Sequence, residues 1–135
     1  MIYRSANKTK VNEIAKDIAH TLKNGSVLLL QGNLGTGKTF FTSKICNHLN
    51  VKDLVNSPSY ILLNEYEGKH RIFHYDLYRL TSPEEALELG ILDRLNEGIT
   101  IIEWPELVKD YMPKDSLCIH FTHNGKFRDI NVISP

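Results

Sequence analysis

Apolar residues early in the chain fall at Val11, Ile14, Ala15, Ile18, Ala19 and Leu22. That recurrence traces one face of an amphipathic helix. Asn7 or Thr9 would cap its start, and Gly25 follows its end. Val27 to Gln31, "VLLLQ", reads as a short buried strand, and a second helix is expected from about Lys38, with Phe41, Ile45 and Leu49 on one face. Further on, "SPSYILLNEYEGKHRIFHYDLYRL" is rich in aliphatic and aromatic residues broken by "EGKH". It predicts two strands, Tyr60–Glu65 and Arg71–Asp76, joined as a hairpin through Gly68. In "TSPEEALELG", Ser82 fits an N-cap, Pro83 the first helical position, Glu85 a capping box and Gly90 the stop. "ITIIEW" predicts an apolar strand ending at Glu103, and "SLCIHFTHNGKFRDINVI" a last hairpin turning at Asn124-Gly125. Together these predict an α/β domain over residues 1–135, whose partly parallel sheet carries antiparallel additions.

Composition narrows the function classes. Sixteen basic and sixteen acidic residues leave no formal net charge, which argues against unaided tight binding to nucleic acid. Cys46 and Cys118 have neither metal-site nor redox-motif spacing. His120 and His123 lack a third ligand in sequence reach, so no zinc site is expected. The opening "MIYRSANKTK" lacks a signal peptide's apolar core, and no apolar run approaches membrane length. A cytoplasmic setting without a membrane is expected.

The chemistry concentrates in Gly32-Asn33-Leu34-Gly35-Thr36-Gly37-Lys38-Thr39, which satisfies G-x-x-x-x-G-K-[ST] between a strand and a helix. Glycines let successive backbone N–H groups converge on phosphate oxygens, and the helix N-terminus adds its positive dipole. Lys38 would neutralise β- and γ-phosphate charge, and the Thr39 hydroxyl would ligate Mg²⁺. The metal needs further oxygen support. Two acids at predicted strand ends fit, Asp76 after "IFHY" and Glu103 after "ITII". Glu103 follows the more continuous apolar run, as a central parallel strand would.

"GNLGTGKTFF", "NSPSYILLNEY", "HYDLYRL", "PEEALELGI" and "IIEWPE" occur in this order. The set resembles the small bacterial ATPase family required for tRNA N6-threonylcarbamoyladenosine biosynthesis, over about Thr9 to Glu106. The resemblance implies a P-loop NTPase-like three-layer sandwich with a mostly parallel mixed sheet. It implies ATP/ADP and Mg²⁺ as cofactors, with nucleotide contacts from Thr9, Asn33, Leu34, Gly35, Thr36, Gly37, Lys38, Thr39 and Phe40. Thr39 and Glu103 fall at the metal, and Lys38, Asp76 and Glu103 at hydrolysis. Thr9 serves equally as a helix-start residue. Ser59 stands where the family usually has threonine, which keeps a hydroxyl near the γ-phosphate.

Three more residues sit in matching motifs, each with two readings. Arg79 is an arginine finger or a structural ion pair. Trp104 stacks near the site or at a partner surface, or packs against Pro105. His74 is a packing or hydrogen-bonding residue, or a base. The resemblance further implies protein partners that transfer threonylcarbamoyl to adenosine 37, with tRNA reached indirectly through them and hydrolysis weak in isolation.

Two other functions share the loop, a small-molecule kinase and a nucleotide sensor without significant hydrolysis. A kinase usually closes an arginine-bearing lid over the phosphates. Here Arg4, Arg71, Arg79, Arg94 and Arg128 are scattered, with no lid-like segment.

Overall fold

The computed structural model describes residues 1–55 and 62–134. Ser57-Pro58-Ser59-Tyr60, and with it the start of the expected Tyr60–Glu65 strand, lies outside the described residues.

Seven strands form one sheet: β1 (Ile2–Ala6), β2 (Val27–Gln31), β3 (Leu63–Glu67), β4 (Arg71–Asp76), β5 (Ile99–Glu103), β6 (Leu117–Asn124) and β7 (Phe127–Ile133). Their order is β1-β7-β6-β2-β5-β4-β3. The inner four, β6-β2-β5-β4, run parallel. Antiparallel pairing adds β3 at one side, and β7 with β1 at the other. β2 and β5 are almost wholly buried, as strands covered on both faces must be. This is the α/β arrangement expected of the pattern, with antiparallel hairpins flanking a parallel centre.

Helices α1 (Lys8–Ala19) and α2 (Lys38–His48) cover one face, where Ile14, Ile18, Phe41 and Ile45 pack on Leu28, Leu30, Ile101 and Ile119. The short helices α3 (Pro83–Leu87) and α4 (Ile91–Arg94) cover the other with two 3₁₀ turns, Pro105–Leu107 and Lys109–Tyr111. There Ala86, Ile91 and Val108 pack on Leu29, Phe73, Tyr75 and Ile102. Three layers result. No helix of the described residues is long and apolar enough to cross a membrane.

Several boundaries differ from expectation for local reasons. Asn7, not Thr9, caps α1, its Oδ1 accepting from Lys10 N at 2.8 Å. α1 stops at Ala19 because Thr21 and Leu22 turn back on Ile18 and Ala19 through i→i+3 bonds. Ser82 caps α3 and Glu85 returns to it as a capping box. α3 nevertheless ends at Leu87, and Gly90, at φ +81°, turns the chain into α4, which the pattern did not predict. β1 was not anticipated either. Its residues alternate poorly, and its pairing to β7 is interrupted by an irregularity between Tyr3 and Ala6.

Candidate functional site

The site forms where β2, β4 and β5 end, the usual position for a ligand in an open parallel sheet. Gly32 to Gly37 leave β2 as a loop and deliver Lys38 to the first turn of α2. Gly37 adopts φ +99° at the helix N-cap, a conformation costly for any residue with a Cβ. Gly32 is required for space. A Cβ there would lie 2.7 Å from both Phe121 O and Thr36 Oγ1.

The loop is tied from within and from afar. Thr36 Oγ1 donates to Asn33 O at 2.7 Å. Arg128 on β7 reaches across to donate through Nε to Thr36 O at 3.1 Å and through Nη2 to Gly35 O at 3.2 Å. Arg128 was not among the residues predicted for the site. Its 92-residue separation from Thr36 left no local signal. Lys38 Nζ donates to Gly32 O and lies 3.8 Å from the centre of the Trp104 ring. Burial lowers the Lys38 pKa, and the carboxylates of Glu103, Asp76 and Glu106 oppose that shift.

Facing the loop is a ledge of buried polar side chains. Register pairs Asp76 with Glu103 and His74 with Ile101 along β4 and β5. By the two-residue period, His74, Asp76 and Glu103 share the face covered by α2. Thr39 Oγ1 lies 3.1 Å from both oxygens of Glu103. Asp76 Oδ1 accepts from Tyr78 N at 3.0 Å. His74 is fully buried, with Nε2 2.6 Å from Glu103 Oε2.

Trp104 follows Glu103 in the left-handed region, at φ +59°, a strained conformation for a residue with a side chain. This turns its ring toward the loop, between Lys38 and Tyr78, whose ring centre is 4.8 Å away. Trp104 thus lines the first cavity and also packs against the apolar cluster on the α3–α4 side of the sheet.

Two adjoining cavities share Thr36, Gly37 and Phe40. One, about 360 Å³, is bounded by Lys38, Thr39, Asp76, Glu103 and Trp104. The other, about 300 Å³, has apolar walls from Val11, Phe40 and Phe121 and basic groups at Lys8 and Lys126. The first offers a lysine, a helix N-terminus and two carboxylates, with oxygen donors suited to a hard cation. Among the described residues no three His, Cys, Asp or Glu side chains cluster as a metal site. A magnesium site assembled from a hydroxyl, one or two acids and phosphates does not need such a cluster.

Of the predicted site residues, Leu34 to Phe40, Asp76 and Glu103 line the first cavity. Asn33 belongs to the loop through its carbonyl, which accepts from Thr36 and Lys38. Thr9 is exposed on α1, whereas Asn7, Lys8 and Val11 beside it line the second cavity. Arg79 is exposed in the turn after β4 and does not line the first cavity. His74 resolves as a hydrogen-bonding residue bound to the ledge.

Residues 5–130 match the family model described as "Threonylcarbamoyl adenosine biosynthesis protein TsaE". Among relatives called tRNA threonylcarbamoyladenosine biosynthesis protein TsaE, that of Rickettsia bellii is 43% identical over 114 residues, covering 83% of this chain and 78% of the relative. That of Bacillus subtilis is 34% identical over 125 residues, covering 91% and 78%. The Rickettsia felis relative is 43% identical over 105 residues, and the match spans 61% of its length. The crystal structure of Bacillus subtilis YdiB superposes with a TM-score of 0.82 at 28% identity, covering 99% of this chain and 84% of that one.

Proposed function

This chain belongs to the TsaE family of threonylcarbamoyl adenosine biosynthesis proteins, and from that premise we propose that it binds ATP with Mg²⁺ and hydrolyses it. The hydrolysis would serve partner proteins that make N6-threonylcarbamoyladenosine at adenosine 37 of tRNA. One observation carries this reading: Lys38, Thr39, Asp76 and Glu103 converge on a single cavity.

Backbone N–H groups of the loop and the α2 N-terminus would bind the phosphates, and Lys38 would neutralise the β,γ-oxygens. Thr39 Oγ and the Glu103 carboxylate are the groups that would hold Mg²⁺. When bound, the ion supplies charge neutralisation to the phosphates. Asp76 and Glu103, which line the same cavity, would orient an attacking water. Developing charge on the γ-phosphoryl oxygens would be met by the fixed donors of the loop. The second cavity offers apolar surface for the base and Lys8 and Lys126 for polar parts of the nucleotide. A neutral chain acting through protein contacts, with tRNA bound by its partners, agrees with the balanced charge.

The test is reconstituted threonylcarbamoyl-tRNA synthesis with purified partners over many turnovers. Omitting this chain, or replacing it with the Lys38→Ala variant, is expected to halt synthesis after early turnovers. Undiminished multiple-turnover synthesis without it would refute the reading. A phosphorylated small molecule in place of free phosphate would indicate a kinase.

A further inference from the structure

The ledge contains a histidine that the proposed hydrolysis does not use directly. His74 occupies a β4 position whose inward neighbours on the same face include Ile72 and Ile101. A buried imidazole costs stability unless both ring nitrogens are bonded. Here both are. Nε2 lies 2.6 Å from Glu103 Oε2, and Nδ1 lies 3.3 Å from the hydroxyl of Tyr66 on β3.

Donor and acceptor roles give this chain a direction. An ionised carboxylate only accepts, so Nε2 carries the proton toward Glu103. Nδ1 is partnered by the Tyr66 hydroxyl, whose oxygen accepts in turn from Asn64 Nδ2 at 3.4 Å. Glu103 is thereby held from two sides, by Thr39 across the loop and by His74 along the sheet.

We propose that His74 is a positioning residue. Braced by Tyr66, it fixes the Glu103 carboxylate in the orientation needed to support a divalent cation beside Thr39. The proposal rests on the Mg²⁺–ATP reading above and adds to it a residue that touches neither nucleotide nor metal. Groups that orient a metal-supporting carboxylate act mainly on metal affinity. A purely structural histidine would alter folding stability and leave that affinity alone.

The experiment titrates Mn²⁺, read by electron paramagnetic resonance, into the full chain loaded with a non-hydrolysable ATP analogue. Analogue affinity is measured separately in EDTA. His74→Phe, which keeps bulk but removes the donor, should weaken Mn²⁺ binding ~10–100-fold while metal-free analogue affinity stays unchanged. His74→Gln, which retains an N–H donor, should recover most of the loss, and Tyr66→Phe should show a smaller loss of the same kind. If His74→Phe does not fold, His74→Asn takes its place, being too short to reach Glu103. Wild-type Mn²⁺ affinity in a folded variant lacking the donor would overturn the positioning role alone. Failure of the wild-type chain to bind analogue and Mn²⁺ would overturn the underlying reading, and this inference with it.

Discussion

The loop from Gly32 to Thr39 and the ledge of His74, Asp76 and Glu103 meet where Thr39 lies 3.1 Å from Glu103, yet they are built in opposite ways. The loop is contiguous in sequence, and its chemistry resides in its backbone: glycines at positive φ, N–H groups at a helix start, one lysine. The ledge draws on two strands and on side chains whose meeting depends on β4 lying beside β5. A contiguous backbone device suits binding, because its anion-facing groups come preformed. A device of buried side chains suits metal support and water orientation, where a small displacement changes chemistry more than affinity. The difference predicts that damage to the two regions separates into affinity and turnover.

The largest expected effect on nucleotide affinity tests the loop. Lys38→Ala should weaken ATP binding by about 10–100-fold, the equivalent of one charge-assisted hydrogen bond. The melting temperature of the nucleotide-free chain should change less than binding does, because burial disfavours the ammonium there while its bond to Gly32 O and its contact with Trp104 are lost. Calorimetric titration and thermal unfolding on the same samples check both halves. A variant that loses both binding and stability would blur the comparison.

Next is the loop's steric limit. Gly32→Ala must move Phe121 O or Thr36 Oγ1 away from a 2.7 Å contact, and should destabilise the chain by about 1–3 kcal/mol in urea unfolding. The bonds from β7 follow. Arg128→Ala removes donors to Gly35 and Thr36 carbonyls and should cost about 0.5–1.5 kcal/mol. Weaker ATP binding in that variant, with phosphate release from the bound complex preserved, would sharpen the division.

A further effect, absent at neutral pH, concerns the helix that carries the loop. Burial pushes the Cys46 thiol on α2 up to about 12 from 9.0. Below pH 9 the thiol is protonated in both folded and unfolded states. As pH rises from 9 towards 12, only the unfolded state loses the proton, so stability falls by about 1.4 kcal/mol per pH unit from this group. Urea midpoints between pH 8 and 10 should therefore fall more steeply in wild type than in Cys46→Ala.

The two regions also differed in how far the chain order revealed them. The loop was readable in full, because strand, glycines, lysine and helix are consecutive. β2, β4 and β5 were located closely, since central strands read as short apolar runs. Asp76 and Glu103 were recognisable as strand-end acids, but their shared ledge was not, since register between β4 and β5 is a long-range property. His74 looked like any aromatic in "IFHYD", and its bond to Glu103 spans 29 residues. Arg128 sits in a terminal hairpin that resembles edge structure until β7 is seen beside the loop. Thr9 and Asn7 both fitted a helix start, and the bond from Lys10 N to the Asn7 side chain chose Asn7.

One measurement bears most directly on the division between holding and cutting. Glu103→Gln keeps size and hydrogen bonding at the ledge while removing its charge. ATP affinity in EDTA and Mg²⁺-dependent phosphate release, each with partner proteins present, would be compared with wild type. Metal-free affinity is expected to stay unchanged and phosphate release to fall by roughly 100-fold or more. Wild-type phosphate release in a folded Glu103→Gln chain would contradict it.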